Sequence, residues 1–246
     1  MTEPAATARW RSGFVWLAGL LVVLIAAAWP TVTRVSVNHV VHERRIPLVV
    51  KSVQFLQRDA RYACQARQII TGIRGEEPRV LAIYQWTLTQ IQPQPREKDV
   101  VDDHVWNIIE RGYGASDQRA DVFTTLLAYA GIPAYWSLIG SGSGRVPVSF
   151  VLIDGQWRMF DVANEIIFRA PDGRLATVEE LAASPALIRN AASTRLENAE
   201  AYFAYFDGFE PPVPRRTLRP GLQMPISRLV FELNALLSER KAAGAP

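Results

Sequence analysis

The chain has 246 residues, 49% of them hydrophobic and 21% charged, which suits one domain of ordinary size plus an anchor and excludes a long disordered tail. Its net charge of +3 comes from arginines that mostly lie beside acids, as in Arg96-Glu97-Lys98-Asp99, so a nucleic-acid-binding face is not expected. The single cysteine, Cys64, excludes an intramolecular disulfide and any CxxC metal site.

Gly13 to Trp29 carries no charge, and Pro30 to Val32 extends the run to about 20 residues, the length of a membrane-spanning helix. Trp10, Trp16 and Trp29 lie near its ends, where indole rings favour the lipid–water interface. Cleavage after Ala26-Ala27-Ala28 is the alternative, but Trp29-Pro30 would follow the cut directly, which argues for an uncleaved anchor. Val49, Val53, Leu56 and Ala60 are spaced for a helix rising from the membrane. Val80, Ile83, Tyr84, Thr87, Leu88 and Ile91 form one stripe of a helix over 79–91, ended by Pro93 and Pro95. A short helix is expected over 100–111, stopped by Gly112 and Gly114.

Ser116 is placed to cap a helix over 117–130, with Ala120, Phe123, Leu126, Leu127 and Ala130 on its buried face and Gly131 and Pro133 ending it. Strands follow over 134–139, 146–153 and 156–162, with a loop over 140–144 and an Asp154-Gly155 hairpin turn. Thr177-Val-Glu-Glu180 has capping-box spacing. One or two helices are expected over 186–205, an extended proline-rich stretch over 210–225, and an amphipathic helix over 226–240.

A helix ending in Ala130-Gly-Ile-Pro133, then strands closing on Asp154-Gly-Gln-Trp157 and a following aspartate, resembles the transglutaminase-like superfamily over about 80–162. The resemblance implies an α+β fold: a helix packed on a small antiparallel sheet, with extra helices and an N-terminal transmembrane helix in this chain. It also implies chemistry in which a cysteine at the helix N-terminus attacks an acyl carbon, a histidine takes its proton and an aspartate orients the imidazole. Counting back from Gly131 places Ser116 at the cysteine position, and counting back from Trp157 places Val146 at the histidine position. Only Asp161 matches.

The implied organisation is a cytoplasmic tail over 1–12, an anchor over 13–32, a membrane-proximal helical linker over 33–78, a transglutaminase-like core over 79–168 and a helical C-terminal extension over 169–246. Ser116 reads either as a nucleophile or, more simply, as a helix cap. No histidine follows His104, which with Asp102 and Asp103 reads as an exposed loop or helix start rather than a metal site. His39 and His42 lie too close to the anchor to serve the core. A rearranged Cys64–His104 pair has no support, and Cys64 reads as a packed free thiol. Asp161, with no imidazole to orient, is expected to pair with an arginine or to cap backbone amides. Trp106, Tyr113, Tyr135, Trp136 and Trp157 are read as packing residues near the old cleft.

The expectation is a catalytically inactive, membrane-anchored module with no cofactor. It faces the periplasm or the exterior, and it binds an envelope protein, peptide or glycan in envelope or surface-polysaccharide assembly. The alternatives are a hydrolase or acyltransferase using Ser116 with Asp161, and an accessory structural subunit of a membrane complex.

Overall fold

The computed structural model describes residues 5–140, 144–211 and 219–243, with side chains over 16–140, 144–211 and 220–235. Helix α1 (Ala5–Ala28) leads into an antiparallel hairpin of β1 (Pro30–Val37) and β2 (Val40–Pro47). Then come α2 (Leu48–Ile70), α3 (Glu76–Gln90), the short strands β3 (Gln92–Pro93) and β4 (Val101–Asp102), α4 (Val105–Arg111) and β5 (Tyr113–Gly114). The central helix α5 (Ser116–Tyr129) is followed by β6 (Ala134–Ile139), β7 (Val146–Ile153), β8 (Gln156–Asp161) and β9 (Ile166–Ile167), an antiparallel sheet in that order. Helices α6 (Val178–Ala183), α7 (Ala186–Ser193) and α8 (Ala199–Phe203) complete the domain, and α9 (Pro225–Ala243) follows a single-turn segment over Arg219–Gln223.

The sheet separates two apolar layers. On one face Val151, Ile153 and Phe160 pack with Val122, Phe123, Leu126 and Leu127 of α5, and beyond them with Tyr62 of α2 and Val80, Ile83 and Tyr84 of α3. On the other, Val146, Val148, Phe150 and Met159 meet Val178, Leu181, Ile188, Tyr202 and Phe206 of the C-terminal helices. The two-residue period of a strand sorts these residues to opposite faces. This is why β7 is an almost unbroken apolar run rather than an alternating one.

Three expectations need correction. The run over 13–32 is not one helix: α1 ends at Ala28, and Pro30, which cannot continue a helix, opens β1. Among the described residues no helix is long and apolar enough to cross a membrane. The segment over 33–78 is not a helical linker, because it holds most of the hairpin and α2, which packs on α5 through Tyr62 and Ala66. The helix over 100–111 is shortened to α4, because residues 101–102 pair with Ser36 and Val37 of β1. Within the proline-rich stretch and the loop over 140–144, residues 212–218 and 141–143 lie outside the described residues.

Candidate functional site

Ser116 is the first residue of α5, exposed and without a hydrogen bond from its side chain among the described residues. It is not the cap, since Ala115 holds that position with extended backbone. Gln118 stitches the helix start instead. Its Oε1 accepts from Ala115 N at 3.2 Å and Arg111 Nη2 at 2.7 Å, and its Nε2 donates to Val101 O at 2.8 Å. Glutamine at the third helical position is the reciprocal half of a capping box, the one signal that pointed to it. A hydroxyl at a helix N-terminus feels the partial positive charge of the helix, but an alcohol still needs a base to lose its proton.

The position that the resemblance aligns with the histidine is apolar and buried. Val146, 5% exposed, opens β7 and lies in the apolar layer with Tyr202 and Phe206. Asp161, fully buried, ends β8. The register Ser149↔Phe160 sets Asp161 level with Val148, so Val146 and Asp161 share a face of adjacent strands. The partner of Asp161 is a tyrosine. Tyr202 of α8 donates its hydroxyl to Oδ2 at 2.8 Å, Asn164 Nδ2 donates to the same oxygen at 2.8 Å, and Asn164 N donates to Oδ1 at 2.9 Å. Burial pushes the Asp161 carboxyl above its ordinary range, and the bonds from Asn164, Tyr202 and the Ala163 amide oppose the rise. Burial, and then the adjoining Asp161, push the Tyr202 phenol up, so it stays a donor.

Backbone capping by Asp161 is thus as expected, whereas its tyrosine partner came from outside the segment that carried the resemblance. The sequence also gave no sign of Arg119, which is 2% exposed and donates from Nη1 to Ala163 O at 3.0 Å. Its Nη2 stands 3.9 Å from Glu165, and its buried Nε has no partner. Desolvation lowers the pKa of its guanidinium. Glu165 borders a cavity of about 560 Å³ lined also by Tyr84, Gln85, Arg169 and Arg195, immediately beside the Asp161 turn.

Of the two readings of His104, the helix start holds and the exposed loop does not. His104 is half-buried at the N-cap of α4 and lines a different cavity, beside Lys51 and Arg58, and no hydrogen bond joins it to Ser116. Desolvation, then Arg58, pull its pKa down. Asp103 pairs with Arg111 at 3.3 Å and accepts from Asn107, so the Asp102-Asp103-His104 run is structural, and no metal cluster occurs among the described residues. Cys64 is exposed on α2 rather than packed. The aromatic residues are occupied by packing or pairing: Trp136 Nε1 donates to Asp121 at 3.0 Å, Trp106 Nε1 to Glu110 at 2.6 Å, Trp157 lies edge-on to Tyr135, and Lys98 sits over Tyr113.

Taken together, a helix presenting its N-terminus beside an antiparallel sheet, with an aspartate on the third strand of the helix–sheet unit, defines an α+β scaffold. Residues 64–162 match the transglutaminase-like superfamily. A crystal structure of a candidate cysteine protease from Cytophaga hutchinsonii is similar at 18% identity and a TM-score of 0.39, over 51% of this chain and 44% of that one. A candidate protease from Parabacteroides distasonis is similar at 11% identity and 0.34, over 62% and 41%. A crystal structure of a TGase is similar at 10% identity and 0.34, over 73% and 52%. The chain therefore spans about half or less of each of these structures. No curated protein matches it.

Proposed function

We propose that the protein is a non-catalytic transglutaminase-like module, held at a membrane by its N-terminal segment, that binds a peptide, glycan or envelope protein. The observation that carries the first half is the closed base position. Val146 brings no proton acceptor, and the hydroxyl of Tyr202 occupies the carboxylate that would orient an imidazole. Proton removal from Ser116 then has no adjacent base, which argues against a rebuilt serine enzyme.

The membrane half rests on where apolar surface is exposed. Apart from Leu138, every large exposed hydrophobic among the described residues falls between Trp16 and Leu56 or between Ile226 and Leu233. Exposed apolar residues gathered in a few segments mark a contact surface. The uncharged run from Gly13 supports a membrane as that contact, with the domain on the periplasmic or outer side.

The test is an assay of peptide hydrolysis and amine-acceptor acyl transfer on wild type, Ser116→Ala, and the restored pair Ser116→Cys with Val146→His, alone and with Tyr202→Phe. Wild type is expected to equal Ser116→Ala, with activity emerging only in the restored variants. Wild-type turnover abolished by Ser116→Ala sinks the reading. Sedimentation with membranes, lost on deletion of residues 1–28, checks the tether.

A further inference from the structure

The second large cavity is separate from the Asp161 region. It measures about 750 Å³ and lies where the β1–β2 hairpin, the first half of α2 and the segment before α9 meet. Its charged lining is of one sign: Arg34, Lys51, Arg58 and Arg228, with His104 beside them and no carboxylate among the described lining residues. Two of the cations are answered at the edge, Arg34 by Glu43 at 2.8 Å and Arg228 by Glu232 at 2.6 Å. The other two are not. Lys51 donates to the Val32 carbonyl at 2.7 Å, and no described carboxylate pairs with it or with Arg58. The Arg58 Nε is buried with no partner. Burial lowers the Arg58 pKa, and burial first, then Arg58 and Lys51, lower that of His104.

Two cations with no described carboxylate partner in one partly buried hollow repel each other and lose solvation, and a bound anion would offset both costs. Guanidinium beside ammonium is the donor pair that suits phosphate oxygens. The remaining walls are apolar at Val32, Leu48, Phe55 and Leu222 and polar at Thr33, Ser52 and Gln223, and the cavity lies among the exposed apolar residues of the hairpin and α2.

We infer that this cavity binds a phosphate mono- or diester anion through Arg58 and Lys51. An anionic lipid headgroup and a free phosphate share that chemistry. The lipid source rests on the membrane reading above, whereas the anion site does not.

The full chain in non-ionic detergent at low salt is titrated with inorganic phosphate, with short-chain phosphatidylglycerol and with short-chain phosphatidylcholine, read by calorimetry and by the rise in melting temperature. Arg58→Gln and Lys51→Gln are compared with Arg67→Gln, which removes an exposed charge elsewhere on the same helix. Saturable phosphate binding, at least tenfold weaker in Arg58→Gln and Lys51→Gln and unchanged in Arg67→Gln, supports a free-anion site. Phosphatidylglycerol binding with the same variant pattern, without phosphate binding, supports a headgroup site. If Arg58→Gln does not fold, Lys51→Gln carries the comparison. Absence of binding by phosphate and phosphatidylglycerol alike, or equal binding in all variants, overturns the inference. Loss of membrane sedimentation with the anion site intact would instead remove only the tether.

Discussion

Asp161 shows how a single buried carboxylate changes its task when its neighbour changes. Three donors from Asn164 and Tyr202 hold it in an interior where charge is costly, and burial still wins, so its pKa is raised. The native state therefore binds its proton more tightly than the unfolded chain does. Its contribution to stability is fully present below the unfolded value near 3.8 and is lost as pH rises through the folded pKa. Tyr202→Phe removes a donor that favours the ionised form and raises the folded pKa further. The substitution is expected to cost about 1–3 kcal/mol at pH 7 and less at pH 4, read from urea midpoints at the two values. A larger penalty at pH 4 would contradict the assignment. Asp161 was legible because a tight turn and fixed register set its distance from Trp157. Tyr202 was not, because it lies 41 residues further on, in a helix with no local pattern that reports what it will touch.

At the scale of elements, what could be read depended on whether the local signal was a usual one. Strands β6 and β7 begin and end where the pattern predicts, bounded by Pro133 and Asp154-Gly155. The β1–β2 hairpin escaped because its turn is Asn38-His39, both left-handed at φ 48° and 69°, where Asn-Gly is the usual pair. A histidine there hides the turn and carries strain. Asn38 is held by its Nδ2 bond to Asp99 at 2.8 Å and by accepting from Val100 N, which also ties the hairpin to β4. His39→Gly is expected to stabilise the hairpin by about 1 kcal/mol, seen as slower amide exchange in β1 and β2. Unchanged or faster exchange would mean that the turn relaxes by another route. The other end of β7 is governed by space. A Cβ on Gly144 would collide with Tyr205 Cε1, so Gly144→Ala forces the ring to move. A loss of about 1–3 kcal/mol is expected. It should be largely relieved when Tyr205→Ala is added, and additive costs in that double-mutant cycle would place the strain elsewhere.

For the whole molecule, the central question is whether the C-terminal helices are an appendage or half of the domain. The sheet is one residue thick, and β7 is buried on both faces, so neither apolar layer is complete without it. Phe123 on the α5 side and Phe206 on the other are each almost wholly buried, and each substitution to alanine is expected to cost about 3–5 kcal/mol. If the layers share one cooperative unit, Phe206→Ala lowers amide protection in α5 as much as in α7, and denaturation followed by ring absorbance and by backbone dichroism coincides. Loss of protection confined to α6–α8, with α5 unchanged, would make those helices a separable lid that leaves the Val146–Asp161 face free to open. Tyr202 argues for the first outcome. Its hydroxyl ties α8 to the strand end that α3 also touches through Tyr84, so unseating α8 strands a buried carboxylate that the α5 side depends on.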